Sequence, residues 1–228
     1  MTIDHLTNIQ LPLFVYGEAP ENIGDLLPVV WNATECLTSA DPMTRHHGID
    51  ALLELGAQRV SSLVSFMIAT CITDNDIYVR RRAVYILADL ISKEPGTRQA
   101  SEIVRMTVIN YLHNMSEGTI FGLLELVLMD PQVEKSVYHL FNACPMAGRY
   151  LANILTEWKN PLLIRQQAVY FIGLVGYIEV LPVLERLLDR LESRQNGQYS
   201  MSFATSPARS EEDILPNLRI AIKQMTSR

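Results

Sequence analysis

The chain has 228 residues, which is enough for one ordinary domain or one short repeat array. Its 19 Lys and Arg and 25 Asp and Glu give a net charge of −6. This acidic balance argues against nucleic acid and anionic membranes as partners, because both are bound mainly through basic side chains. An apolar content of 48% is ample for a hydrophobic core.

The chain is predicted to be all-α, because apolar residues recur at three- and four-residue steps between turns marked by Pro and Gly. Residues 1–21 are predicted to be irregular, 22–193 to form a repeat domain, 194–210 a flexible loop and 211–228 a C-terminal capping helix. The predicted helices are residues 22–38, 42–56, 58–72, 76–92, 98–114, 118–129, 131–143, 146–158, 161–176, 178–193 and 211–226.

One predicted helix, residues 58–72, carries an apolar stripe with further apolar residues beside it. The stripe consists of Val60, Leu63, Val64, Met67 and Cys71, and Phe66 and Ile68 lie off it. A helix that is apolar over so much of its circumference is expected to pack on more than one side.

Several predicted helices open with Asp-Pro or Asn-Pro, at Asp41, Asp130 and Asn160. Asp or Asn at the N-cap accepts a hydrogen bond from a free backbone N–H, and Pro suits the first turn. Other helices carry Leu-Pro near their start, as at Pro182 and Pro216. The two signatures indicate first and second helices of helix pairs.

The stretch CLTSADPMTR, from Cys36, returns as CITDNDIYVR 35 positions later, from Cys71. The two copies share Cys, Thr, Asp and Arg at the same offsets. A period near 35 residues with one helix pair per period is typical of an α-solenoid. One pair cannot bury both of its apolar sides alone, so neighbouring pairs are expected to stack.

The stretches DNDIYVRRRAVYILADL and NPLLIRQQAVYFIGLVGYIEVLPVLERLLD resemble HEAT repeats. The family pattern of Asp, Val-Arg and Ala on the first helix matches Asp76, Val79, Arg80 and Ala83, and then Asn160, Ile164, Arg165 and Ala168. The resemblance covers roughly residues 22–193. It implies a short right-handed α-solenoid of HEAT-like helix pairs, an armadillo-like α–α superhelix.

The resemblance also implies a ladder in which the Arg of one unit bonds a turn Asp of an adjacent unit. Its expected members are Asp41, Arg45, Asp76, Arg80, Asp130 and Arg165. Glu134 stands at the Arg position of one unit, so the ladder is expected to break there.

Three cysteines, Cys36, Cys71 and Cys144, form no C-x-x-C pair. Cys36 and Cys71 fall in apolar helical patterns, which predicts buried free thiols in a reducing compartment. The first thirty residues lack the basic start and apolar run of a signal peptide, and no apolar stretch is long enough to span a membrane. A cytoplasmic location is therefore expected.

The sequence contains no phosphate-binding glycine loop, zinc-protease motif or nucleophile elbow. His46 and His47 point roughly 100° apart on a helix, so they cannot easily chelate one metal ion. We therefore predict no catalytic, cofactor-binding or metal-binding residues, and no enzyme activity.

Arg80, Arg81 and Arg82 form the one dense basic run, near Arg98 and Arg105. We expect Arg80 to serve the ladder and the other two arginines of the run to be solvated. A patch that binds an acidic partner segment or nucleic acid is the alternative.

Some HEAT-like proteins are enzymes, such as alkyl-purine DNA glycosylases, and others resemble phycobilin lyases. A glycosylase needs a basic concave face with aromatic residues. Trp31 and Trp158 lie far apart in the array, beside Glu35 and Glu157, and are predicted to pack between helices. An enzyme or nucleic-acid-binding role of this kind remains the alternative function.

The leading prediction is a non-catalytic protein–protein interaction scaffold or adaptor, with a protein partner of unknown identity and self-association as a further alternative. In the family, second helices line a concave face that commonly holds a partner. The predicted contact residues are Gln58, Arg59, Ser62, Arg98, Glu102, Arg105, Arg149, Asn153 and Glu185.

Overall fold

The structure, a computed structural model, describes residues 23–92, 99–195 and 213–227, and within these ranges all regular elements are helical. The all-α prediction is confirmed. The α-helices are α1 (Ile23–Cys36), α2 (Pro42–Glu54), α3 (Ser62–Thr70), α4 (Ile77–Ile91), α5 (Glu102–His113), α6 (Glu117–Met129), α7 (Glu134–Asn142), α8 (Ala147–Thr156), α9 (Leu162–Val175), α10 (Leu181–Gln195) and α11 (Leu215–Thr226). None of these helices is both long and apolar enough to cross a membrane.

Polar side chains begin several helices as the sequence predicts. The Asp41 carboxylate accepts from the backbone N–H of Thr44 at 2.9 Å and caps α2. Asp76 caps α4 in the same way, through the N–H of Val79 at 2.9 Å. The expectation for Asn160 is wrong: its side chain donates to Ile154 O, at the end of α8, and does not cap α9.

Two predicted helix boundaries differ from the structure, one of them because a short 3₁₀ turn precedes the helix. The predicted helix 58–72 begins as a 3₁₀ turn, Ala57–Arg59, entered through Gly56 at a φ of 65°. The Ser61 hydroxyl then accepts from Val64 N–H and starts α3. The α10 helix continues to Gln195, two residues into the predicted loop. Residues 1–21, predicted to be irregular, the rest of the predicted loop and Arg98 lie outside the described residues.

Residue contacts divide the chain into two compact units, Met1–Leu112 and His113–Arg228. We call them the N-terminal unit and the C-terminal unit. The single repeat domain expected over residues 22–193 stays a prediction.

In the N-terminal unit, α1 packs closely on α2, and α3 packs beside α4. Gly48 permits the first contact, since a Cβ there would lie 2.6 Å from Ala33 O. Buried aliphatic side chains such as Ile49, Ile68 and Leu87 fill the interior.

In the C-terminal unit, α9 lies against both α8 and α11. The rings of Phe141 and Phe171 meet edge to face with centroids 5.0 Å apart in its core. The α11 helix approaches closely at Gly173, where a Cβ would lie 2.8 Å from Ala221 Cα. Arg219 of α11 also pairs with Glu192 of α10 at 2.8 Å.

Candidate interaction surface

The two copies of the duplicated stretch lie side by side in the N-terminal unit, where their turns line a groove of about 750 Å³. Arg45 joins the turns. Its guanidinium donates to Ser39 O at 2.7 Å and Ala40 O at 3.0 Å in the first copy, and to the Asp74 carboxylate at 2.7 Å in the second. Because Arg45 is buried, this network fixes one turn against the other.

The partner of Arg45 differs from the expected ladder. Asp41 and Asp76 cap α2 and α4, and it is Asp74 that receives the guanidinium. The capping carboxylate of Asp76 already accepts from helix N–H groups, which leaves Asp74, two residues earlier in the same turn, for the arginine. Asp76 lies instead 3.7 Å from the Nε2 atom of His46.

The other expected ladder residues also have different partners. Arg165 is buried and donates its Nε to Leu155 O at 2.8 Å. Within the described ranges, Arg80 Nε is buried without a hydrogen-bond partner. Asp130 caps the 3₁₀ turn that precedes α7, through Gln132 N–H.

Glu134, at the position where an Arg was expected, accepts a hydrogen bond from Tyr170 Oη at 2.5 Å. Burial, and after it this bond to a carboxylate, raises the pKa of Tyr170 to about 12. The helices α7 and α9 are therefore joined by a hydroxyl–carboxylate contact rather than an ion pair.

The predicted contact residues divide into paired and solvent-facing groups. Arg59 pairs with Asp89, and Arg105 Nε donates to Glu102 at 2.9 Å. Asn153 donates to Glu117 at 2.8 Å, across the start of α6 and the end of α8. Ser62 is half-buried, and Arg149 and Glu185 are exposed.

The prediction that Gln58 is exposed is wrong. Gln58 is 7% exposed, because it belongs to the 3₁₀ turn that lies against α2 and α3 and not to the outer side of a longer helix. Sequence periodicity alone did not show that the chain reverses at Gly56 before α3 begins.

Four exposed apolar side chains lie on α3 and α5. Leu63 and Phe66 of α3 are 62% and 43% exposed, and Ile103 and Met106 of α5 are 67% and 43% exposed. We call these four side chains the apolar face. The expectation that Leu63 belongs to a packed stripe is therefore wrong, and the buried side of α3 is formed by Val64, Ser65, Ile68 and Ala69.

Two contacts hold α3 and α5 beside each other. The backbone N–H of Ser101, just before α5, donates to Arg59 O, just before α3, at 3.0 Å. Further along both helices, the rings of Phe66 and Tyr111 meet edge to face with centroids 5.7 Å apart. Because early residues meet early residues and late meet late, the two helices run in the same direction.

A second groove, of about 510 Å³, lies in the C-terminal unit between the start of α6 and the end of α8. Glu117, Phe121, Asn153 and Glu157 are among its lining residues. It contains one predicted contact residue, Asn153, whose amide is engaged by Glu117.

Two further expectations, for the tryptophans and for the run of three arginines, differ from the structure. Trp31 and Trp158 are exposed rather than packed between helices, and Lys159 Nζ lies 5.8 Å from the Trp158 ring centroid. Arg82 pairs with Asp50, and Arg81 lies over the ring of Tyr78. The run is thus partly used in contacts within the N-terminal unit.

The cysteine environments do not activate the thiols. Burial is the main cause that raises the pKa of Cys71 to about 11, and burial also raises the pKa of Cys144. Both thiols are therefore protonated at neutral pH and are poor nucleophiles. Cys36, expected to be buried, is half-exposed.

Among the described residues, no three His, Cys, Asp or Glu side chains converge in a way that could hold a metal ion. Comparison of the chain with protein-family models, with curated proteins and with solved structures gives no match.

Proposed function

We propose that the chain is a non-catalytic protein–protein interaction scaffold built from HEAT-like helix pairs, and that the apolar face on α3 and α5 is its contact surface. The observation that carries this proposal is the exposure of Leu63, Phe66, Ile103 and Met106 on two neighbouring helices. Contiguous exposed apolar patches are uncommon on monomers and mark interaction sites.

Regular spacing of the contacts between helices supports the HEAT-like stacking. In the C-terminal unit three hydrogen bonds each join residues 36 positions apart: Glu117 with Asn153, Glu134 with Tyr170, and Phe141 with Tyr177. This separation is close to the period of 35 residues in the sequence. Stacked repeats make contacts of this kind because each pair touches only its neighbours.

In the N-terminal unit, the side-chain bonds between helix pairs span similar distances along the chain. Arg45 meets Asp74 after 29 positions, and Arg59 meets Asp89 after 30. The parallel course of α3 and α5 is the arrangement expected of second helices in successive pairs. Such helices present a common face, which suits a scaffold role.

Site-specific photo-cross-linking tests the proposed function. A photoreactive amino acid would replace Leu63 in the full chain, which is then incubated in extracts of its source cells. Leu63 is 62% exposed, and Met43 on α2 is also 62% exposed, so the same replacement at Met43 is a matched control. We expect a covalent adduct with a second protein at position 63 and none at position 43.

Equal labelling at both positions would indicate unspecific collision, and no adduct at position 63 would refute the proposed contact surface. A catalytic turnover that survives loss of the apolar face would argue for the enzyme alternative.

A further inference from the structure

Among the described residues, the two arginines beside the apolar face already have carboxylate partners. At its N-terminal edge, Arg59 is paired with Asp89, and Arg105 is paired with Glu102. The side chains of Leu63, Phe66, Ile103 and Met106 themselves offer no hydrogen bond. A segment that covers this face must therefore present an uncharged stripe, because a buried charge without a partner is costly.

Two threonine hydroxyl groups beside the face are also engaged. Thr70, one turn beyond Phe66, donates its hydroxyl to Met67 O at 2.7 Å. Thr107, one turn beyond Ile103, donates to Ile103 O at 2.8 Å. Because each hydroxyl already donates its hydrogen to a carbonyl of its own helix, it is a weak hydrogen-bond partner for the backbone of a bound segment.

The backbone of the occupant follows from this chemistry. An extended segment laid on the apolar face would bury backbone N–H and C=O groups without partners, and each such group is costly. A helix satisfies its backbone internally and presents only side chains. An amphipathic helix laid along α3 and α5 would therefore cover the apolar face without burying unpaired backbone groups.

The area of the apolar face distinguishes between two possible occupants, a short segment of a partner and a second copy of the chain. The four exposed fractions leave roughly 400 Å² of apolar side chain in contact with solvent, which is within the range of functional patches on monomers. A stable interface between two folded proteins takes about 800 Å² from each partner. The face is thus too small to hold a dimer by itself.

We propose that the apolar face binds an amphipathic helix of a partner protein through about two turns of uncharged aliphatic or aromatic side chains. This inference rests on the proposed function and specifies the partner that the same surface takes.

A displayed library of random peptides of about 15 residues, or four helical turns, tests it against the full chain. We expect enriched peptides to carry apolar residues at i, i+3 or i+4, and i+7. They should also gain helical circular dichroism on binding. Alternating or Pro-rich apolar patterns among the enriched peptides, or no enrichment, would overturn the inference.

Paired variants locate the binding. Leu63→Glu with Ile103→Glu should weaken the affinity of an enriched peptide at least tenfold. Met43→Glu with Tyr78→Glu adds the same charge at exposed apolar positions on first helices, and should change the affinity less than twofold. Equal effects of the two pairs would overturn the inference. Thermal melts check that each pair folds, and Leu63→Ser with Ile103→Ser is a milder substitute.

The two proposals fail in different ways. If position 63 cross-links to a protein but enriched peptides are not helical, the scaffold role stands and the helical occupant is wrong. If position 63 gives no adduct, the scaffold role itself fails. Light scattering could also show that the mass of the chain doubles at high concentration. If Leu63→Glu with Ile103→Glu abolished this doubling, the occupant of the apolar face would be a second copy of the chain and not a partner helix.

Discussion

Arg45 shows how one buried side chain connects two repeated turns. Its guanidinium satisfies two backbone carbonyls and one carboxylate, and Asp74 in turn accepts from Asp76 N–H at 2.8 Å. Most buried polar groups in folded proteins make such bonds, because leaving them unmade is costly. The arginine and the turn were predictable from the repeat, but the choice of Asp74 over Asp76 depends on which carboxylate caps α4.

Arg45→Ala should lower the free energy of unfolding by about 3 kcal/mol, because it leaves the Asp74 carboxylate and two carbonyls without their donor. Arg82→Ala is the control: it removes an ion pair with Asp50 whose partners are 37% and 42% exposed. Exposed pairs contribute about 1 kcal/mol or less. Urea denaturation measures the free energy of unfolding of both variants. An equal loss of stability in the two would show that Arg45 does not link the turns.

At the scale of helices, periodicity and capping residues account for what was predictable. Each of the eleven helical segments read from the sequence overlaps an α-helix among the described residues. The side that each helix buries was less predictable, as Leu63 and Gln58 show, because it depends on which neighbours approach. The apolar face was not predictable for this reason, because periodicity alone places Leu63 on a packed stripe.

Close helix contacts at glycine give a prediction at this scale. Gly173→Ala should destabilise the chain by about 1–3 kcal/mol, because the new Cβ would lie 2.8 Å from Ala221 Cα and 2.9 Å from Ala221 Cβ. Gly118→Ala is the matched control, since its nearest neighbour would be Ser116 Oγ at 3.7 Å. We expect that control to be neutral or stabilising by up to about 1 kcal/mol.

Thermal unfolding of the two glycine variants distinguishes these outcomes. A Gly173→Ala protein as stable as the parent would mean that α9 and α11 separate without cost, and the close packing described for them would be wrong.

At the scale of the whole molecule, stability is distributed over two compact units, each with its own buried core. The C-terminal unit includes α11, which returns to α9 and α10 after residues outside the described ranges. Leu215, Leu218 and Met225 of α11 are buried there. The capping role expected for residues 211–228 therefore has a measurable consequence.

Ending the chain after Gln195 should lower the melting temperature, because it uncovers the surface of α9 on which α11 packs. Leu218→Ala tests the same contact with less disruption and should cost about 2–5 kcal/mol, since Leu218 is fully buried. Ile220→Ala, at a position 56% exposed, should stay within about 0.5 kcal/mol of the parent. Calorimetry compares the melting temperatures of the truncated chain, Leu218→Ala and Ile220→Ala. An unchanged melting temperature after truncation would exclude a capping role for α11.

The spacing of the bonds between helices also bears on how each unit folds. Arg45 with Asp74, and Glu134 with Tyr170, close loops of 29 and 36 residues, so little chain entropy is lost before each contact forms. Short loops of this kind favour fast folding, because little chain has to be ordered before the contact forms. The proposed stacking of helix pairs would also tolerate gain or loss of one pair during evolution, because each pair would meet only its neighbours.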